Sequence, residues 1–215
     1  MQGYKVGAAT RAKIFTTCKV LFYEKGYESV SYQDICNASG VNPGTLSYHF
    51  KSKSKLVYSV YAQMNDKFIT DLSKVFSDED EITVSLLCLT ASIKLLYEDE
   101  KFRRFNLDIC TYCQNDIYER SYNFGLPFSR VLSEKMTVEK QRYFQTVSTG
   151  FDIANTIYIA KHIEDLPIER AMEYTFELYF YFLDRNELKT HILRVYEISK
   201  KMKVSWKNCE IYCTV

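Results

Sequence analysis

The sequence predicts an all-α protein, on three observations. Only 7 Gly and 3 Pro occur among 215 residues, too few for the many turns of a sandwich or barrel. An apolar share of 47% suffices for one sizeable core or two modest ones and excludes an unfolded chain. Apolar residues recur at three- and four-residue spacing over long stretches, which is the helical period.

Each element follows in order. From Thr10 to Lys25 the apolar positions Ile14, Cys18, Leu21 and Phe22 define one helix face, and Gly26 stops it. Ser31 with Asp34 three residues later reads as a capping-box start, the hydroxyl accepting from a free amide and the carboxylate sitting at the positive helix end. A short helix over about 32–39 then ends at Gly40. Asn42 can cap a third helix, with Pro43 at its first position, where a missing N–H costs little. That helix runs to about Phe50, because Lys51-Ser52-Lys53 supplies a polar break and Ser52 a new cap. Val57, Tyr61, Met64, Phe68, Leu72 and Val75 carry a long fourth helix, ended by Ser77-Asp78-Glu79-Asp80. Beyond this charged break, residues 82–98, 101–122, 128–135, 138–163, 168–184 and 187–203 read as helices, with Pro127 and Pro167 where helices should begin. The tail from Val204 shows no assignable pattern.

Charge is unevenly spread. Residues 1–60 hold eight Lys and Arg against three carboxylates, +5, leaving −4 for the rest of a chain whose total is +1. A compact positive unit on a mildly acidic protein is what attraction to phosphate requires.

Two short helices joined by Ser39-Gly40-Val41-Asn42 fit a helix-turn-helix whose second helix enters the major groove. Ile35, Val41, Leu46 and Phe50 can seal its small core. Left facing outward are Ser31 and Gln33 at one helix start, Thr45, Ser47, Tyr48 and His49 along the next, and Lys53 at a third, sensible contacts to phosphates and bases. Leu21-Phe22-Tyr23-Glu24-Lys25-Gly26-Tyr27, Ser31, Ile35 and the run Gly40-Val41-Asn42-Pro43-Gly44-Thr45-Leu46-Ser47-Tyr48-His49-Phe50-Lys51-Ser52-Lys53-Ser54-Lys55-Leu56 together resemble the N-terminal signature of the tetracycline-repressor-like (TetR) family of transcriptional regulators. The match spans roughly residues 10–57. The resemblance implies that Pro43, Gly44, Thr45 and Ser47 approach base edges, with Asn42 at the same helix start. It also implies that Ser31, Gln33, Tyr48, His49 and Lys53 mostly hold phosphates. Many members carry an aromatic where this chain has Ser47, and Tyr48 stands next to it.

The expected division is therefore a helix-turn-helix DNA-binding domain over 1–52, a connecting helix over 53–77, and a helical ligand-binding and dimerisation domain over 78–215. The last part matches no recognised pattern, so its chemistry must come from its residues. The chain has 18 Tyr and 14 Phe, many between residues 97 and 183, and helices there can line a pocket with apolar walls and a few hydroxyls. Phe105, Tyr112, Tyr122, Phe151, Asn155 and Phe176 are the candidate lining. Asp108 and Asp152, each set among apolar neighbours, are carboxylates that could pair with a cationic ligand. Solvated helix faces and ordinary core packing are the alternative for all of these.

Cys110 and Cys113 form a lone CxxC, and Cys209 and Cys213 lie four apart. A structural zinc site wants four ligands, and these pairs are about a hundred residues apart, so no metal and no cofactor is expected. No phosphate loop, paired-carboxylate, Ser-His-Asp or Cys-His arrangement stands out, so enzyme activity has no support. The polar first stretch, Met1 to Lys13, has no apolar h-region, and no apolar run approaches the roughly 20 residues that span a bilayer. The expectation is a cytoplasmic protein with free thiols and no membrane association.

The resemblance implies a homodimeric, ligand-responsive regulator, by family tendency a repressor, that binds a pseudo-palindromic operator in double-stranded DNA and is released by a small hydrophobic or aromatic effector. For the dimer, helices over about 168–203 are the first choice, through Tyr174, Leu178, Tyr181, Phe182, Ile192, Val195 and Tyr196. Residues 138–163 are the second. An alternative keeps the fold but makes the chain a thiol-sensing or adaptor protein without a specific operator, with Cys110 and Cys113 as the responsive pair.

Overall fold

Two glycines with positive φ, Gly26 at 82° and Gly40 at 64°, turn the first corners of the chain, in a region that L side chains rarely adopt. In the computed structural model, which describes residues 2–124, 136–183, 188–207 and 210–215, α1 (Gln2–Lys25) ends at the first of them. Its buried stripe is Ile14, Cys18 and Phe22, and the helix extends eight residues N-terminal to the periodic segment. α2 (Tyr32–Ser39) carries the full capping box: the Ser31 hydroxyl accepts from the Asp34 amide at 3.1 Å, and the Ser31 amide donates to the Asp34 carboxylate at 2.8 Å. Gly40 closes it in the left-handed conformation. α3 (Pro43–His49) begins on Asn42, whose Oδ1 accepts from the Thr45 amide at 2.8 Å. α4 (Lys53–Val75) begins on Ser52, whose Oγ accepts from the Lys55 amide at 3.1 Å. Every helix start in this unit after the first is thus held by a named side chain, which satisfies amides that would otherwise be orphaned.

The remaining helices are α5 (Glu81–Glu98), α6 (Glu100–Tyr112), α7 (Gln114–Phe124), α8 (Val138–Lys161), α9 (Ile168–Leu183) and α10 (Leu188–Lys201). α5 is buried along most of its length, from Thr83 and Leu86 to Leu95 and Leu96, and packs against α4, α6, α8, α9 and α10. The single helix expected over 101–122 is two. The chain breaks at Cys113, which is buried and caps α6, its thiol donating to the Ser54 carbonyl at 3.5 Å. The break redirects α7 so that it packs on both α4 and α8. The helix expected over 128–135 lies outside the described residues.

The tail holds a feature the helical period does not show. β1 (Lys203–Lys207) and β2 (Glu210–Thr214) pair antiparallel, with Val204 opposite Cys213 and Ser205 opposite Tyr212. β1 packs on α5 and β2 on α4. Lys94 of α5 reaches the end of α10 and donates to the carbonyls of Ser199 and Met202 at 2.6 and 2.9 Å. It neutralises the negative helix end there and satisfies acceptors that have no helical partner. With only this hairpin beside ten helices among the described residues, the fold is all-α.

One continuous core runs from Ile14 of α1 to Val204 of β1, with a smaller cluster of Phe144 and Tyr179 beside it. Ile192 and Val195, expected on a dimer surface, are buried in that core, and Tyr196 packs edge-on against Phe176. The apolar spacing of α10 serves the chain's own interior. Tyr174 and Leu178 of α9 are exposed, as are Tyr143 and Tyr158 of α8; Tyr181 and Phe182 lie outside the described side chains. Among the described residues no helix is long and apolar enough to cross a membrane.

Candidate nucleic-acid interface and ligand cavity

α3 is fixed from beneath and open above. Leu46, with no exposed surface, and Phe50 at its end tie it to the core under α1 and α4. On the outer side Asn42, Pro43, Gly44, Ser47 and Tyr48 are exposed, with Thr45 and His49 half-buried. Tyr48 is 86% exposed, with its ring edge-on to His49 at 5.2 Å. A tyrosine this bare on a seven-residue helix contributes nothing to the core and presents its ring and hydroxyl outward. A Cβ on Gly44 would come within 3.3 Å of Asn42 Oδ1, so the residue keeps the cap uncrowded.

The other expected contacts are engaged within the protein. Both Ser31 donors, amide and hydroxyl, bind the Asp34 carboxylate, and these bonds lower the pKa of Asp34. Gln33 donates to Asn37 at 2.8 Å. Lys53 lies 4.1 Å from the ring centroid of Tyr27, a cation–π contact, and burial lowers its pKa against the pull of Glu28, Asp108 and Asp34. Two basic residues outside the expected contacts, Arg11 and Lys13, lie near α3. Arg11 sits over the rings of Phe15 and Phe50 at 5.5 Å each. Lys13 Nζ lies 3.3 Å from where a Cβ on Gly40 would be. Their only sequence signal is charge on the outer face of α1.

Behind this unit a cavity of about 340 Å³ opens among α4, α5, α6, α7, α8 and α9, a volume within the range of small-molecule sites. Of the residues expected there, Phe105, Asp152 and Asn155 line it. Phe151 packs beside it, edge-on to Tyr179 at 5.2 Å, and Phe176 is core. Asp108 and Tyr112 face the N-terminal unit instead, and Tyr122 lies outside the described side chains. The walls also take Tyr58, Tyr61 and Phe68 from α4 and Tyr179 from α9. On α4 these residues carry the same spacing that packs a helix on a neighbour, so the period does not announce a cavity.

Asp152 is the cavity's polar pole. Protein surrounds it, and the partial exposure it keeps is what a side chain on a cavity wall shows. The Tyr179 hydroxyl donates to its Oδ1. Burial raises its pKa to about 7 despite that hydrogen bond, since removal from water disfavours the charged form. Asn155 donates to Thr175 at 3.0 Å. The thiols of Cys110 and Cys113 are pushed up to about 12, mainly by burial, which holds them in the unreactive protonated form. Among the described residues no group of three or more His, Cys, Asp or Glu could hold a metal.

α6 faces both sites. Phe102, Phe105, Asn106, Ile109 and Cys110 look into the cavity. From its other face, the Asp99 cap accepts from the Tyr23 hydroxyl at 2.8 Å, Arg104 donates to the Tyr23 carbonyl, Asp108 accepts from the Tyr27 amide at 2.8 Å, and Tyr112 donates to Glu28 at 2.5 Å. One helix therefore carries a wall of the cavity and the hydrogen bonds that hold the α1 end of the N-terminal unit.

Residues 14–60 match the family model of the bacterial regulatory proteins of the tetR family. The chain is 34% identical over 58 residues to the HTH-type transcriptional regulator UidR of Escherichia coli, covering 27% of this chain and 30% of that protein. It is 35% identical over 65 residues to the TetC protein of transposon Tn10 from Escherichia coli, covering 29% and 33%. The similarity thus spans about a third of the length of these relatives and lies in one region. In fold the likeness is wider. The chain is similar to RolR, solved in complex with resorcinol, with a TM-score of 0.60 over 92% of this chain and 96% of that one at 15% identity. It is also similar to a tetR-family transcriptional regulator from Pectobacterium atrosepticum, with a TM-score of 0.53 over 84% and 97% at 18% identity.

Proposed function

We propose that this chain, whose residues 14–60 match the family model of the bacterial regulatory proteins of the tetR family, is a ligand-responsive, homodimeric transcriptional repressor that reads a pseudo-palindromic operator. The observation that carries this is α3. It is a rigidly capped helix after a left-handed Gly40 corner, with Tyr48, Ser47 and the Asn42-Pro43-Gly44 start turned outward from a basic unit. Thr45 and Ser47 read bases; Tyr48, His49 and Lys53, with Arg11 and Lys13, hold phosphates. Two copies joined through their C-terminal helices set two such helices in successive major grooves. The exposed Tyr143 and Tyr158 of α8 with Tyr174 and Leu178 of α9 favour that pair of helices over α10 for the joint.

The cavity receives the effector. Ligand binding that favours one position of α6 moves its hydrogen bonds to Tyr23, Tyr27 and Glu28, and so changes the spacing of the two α3 helices. This switch needs only a difference in ligand affinity between the two arrangements.

Two substitutions test the DNA reading. Lys53→Ala should weaken binding to all sequences and flatten the dependence of log affinity on log salt by about one. Thr45→Ala should chiefly relax preference at one base pair, worth about 1–3 kcal/mol of discrimination. Equal losses from both on every sequence would defeat the specific-reader role.

A further inference from the structure

We infer that the cavity takes a small arylalkyl amine, its ammonium set against Asp152 and its ring among the aromatic walls, an assignment that rests on reading the cavity as the effector site. Among the described lining residues the charges are Asp152, Glu81 and Arg120. Arg120 is already bound to Asp66, so the described lining offers carboxylates without a spare cation. Tyr179 is the hydrogen-bond donor to Asp152 among the described residues, and one hydroxyl does not neutralise a charge. An enclosed carboxylate is costly unless paired, and a neutral occupant would leave it protonated or unmatched. An ammonium matches it, and the ring of the same ligand meets the aromatic walls, where Tyr61 is tilted to Tyr58 at 6.3 Å and edge-on to Phe105 at 6.1 Å. About 340 Å³ admits a ligand of one or two rings.

The acid also makes such binding depend on pH near neutrality. Among the described residues, the titratable and charged groups facing the cavity are Tyr58 and Tyr61 from α4, Glu81 and Cys88 from α5, Cys110 from α6, Arg120 from α7, Asp152 from α8 and Tyr179 from α9. Burial raises Tyr58, Tyr61, Cys88, Cys110 and Tyr179, so all five stay uncharged at neutral pH. Asp152, at about 7, is the wall group among them that gains its charge in that range.

The test is a calorimetric titration of the full chain with matched pairs, naphthylmethylamine against naphthylmethanol and phenethylamine against phenylethanol. At about pH 8.5 the amines should bind at least about tenfold more tightly than their alcohols, and their affinity should fall about tenfold by about pH 6, where Asp152 is mostly protonated. Asp152→Asn should bring the amines down to the alcohols and flatten the profile. The wild-type ratio and profile decide the matter alone if that variant does not fold. Alcohols binding as tightly as amines at about pH 8.5 would overturn the amine assignment while leaving the effector site standing. Failure of every amine and alcohol to bind would overturn both.

Discussion

The N-terminal unit and the bundle behind it solve different problems with the same helical material. In α2 to α4 the helices are started by Ser31, Asn42 and Ser52, the corner at Gly40 is fixed by a left-handed φ, and the small core of Ile35, Leu46 and Phe50 has almost no exposed surface. In the bundle, six helices leave a cavity between them, with a carboxylate on its wall that burial has pushed toward neutrality. A surface that must meet a repeating duplex has to be rigid, whereas one that must answer a small molecule has to keep unfilled space. Stability is concentrated where α3 is presented and given up where the cavity opens.

Truncation in the two regions tests this contrast with the largest effect. Leu46→Ala should cost about 2–5 kcal/mol, because the three-helix core cannot close around the loss. Leu89→Ala, half-buried on the cavity wall, should cost about 1 kcal/mol, since its side chain already borders a void. Chemical denaturation of both variants checks this, and equal costs would break the contrast.

Asp152 gives the next effect. Its native pKa of about 7 lies above the ordinary value of about 3.9, so between those values the folded chain holds a proton that the unfolded chain has released. Wild-type stability should therefore fall as pH rises from about 4 to 7 and level off above. Asp152→Asn should be the more stable protein above about pH 7, by on the order of 2 kcal/mol after allowance for water in the cavity, with the difference vanishing near pH 4. Thermal melts across that range would show it.

The N-terminal unit should titrate the other way. Asn42→Ala removes the α3 cap and should cost about 1 kcal/mol. The pKa of Asp34 is lowered by its bonds to Ser31, so its contribution is present above about pH 4 and lost as the pH falls through the lowered value. Asp34→Asn should flatten that acid limb of the melting curve.

How far each region could be read from sequence follows the same divide. Caps and corners are local chemistry, so Ser31, Asp34, Gly40, Asn42, Pro43 and Ser52 announce themselves by residue type and spacing. The bundle's facts are about facing. Asp108 and Asp152 both sit among apolar neighbours in sequence, yet one accepts from the Tyr27 amide and the other lines the cavity, and periodicity cannot say which side of a helix meets a void. The break at Cys113 has no Gly or Pro to mark it. The hairpin did carry a signal: Lys203 to Lys207 and Glu210 to Thr214 are five-residue runs rich in β-branched and aromatic residues, two residues apart.

The smallest effect concerns the joint between the regions. Tyr23→Phe removes the bond to Asp99, worth about 1 kcal/mol, and should leave operator and ligand affinities, each measured alone, nearly unchanged. It should reduce the factor by which ligand weakens DNA binding. An unaltered factor would show that this bond plays no part in the coupling.

The most direct test of the central claim is selection of bound sequences from random duplex DNA with the purified protein, repeated at two salt concentrations because phosphate contacts dominate the salt dependence. A dimeric operator reader should enrich, at both, an inverted repeat whose half-sites lie about one helical turn apart. Binding that enriches no sequence and simply disappears as salt rises would contradict it.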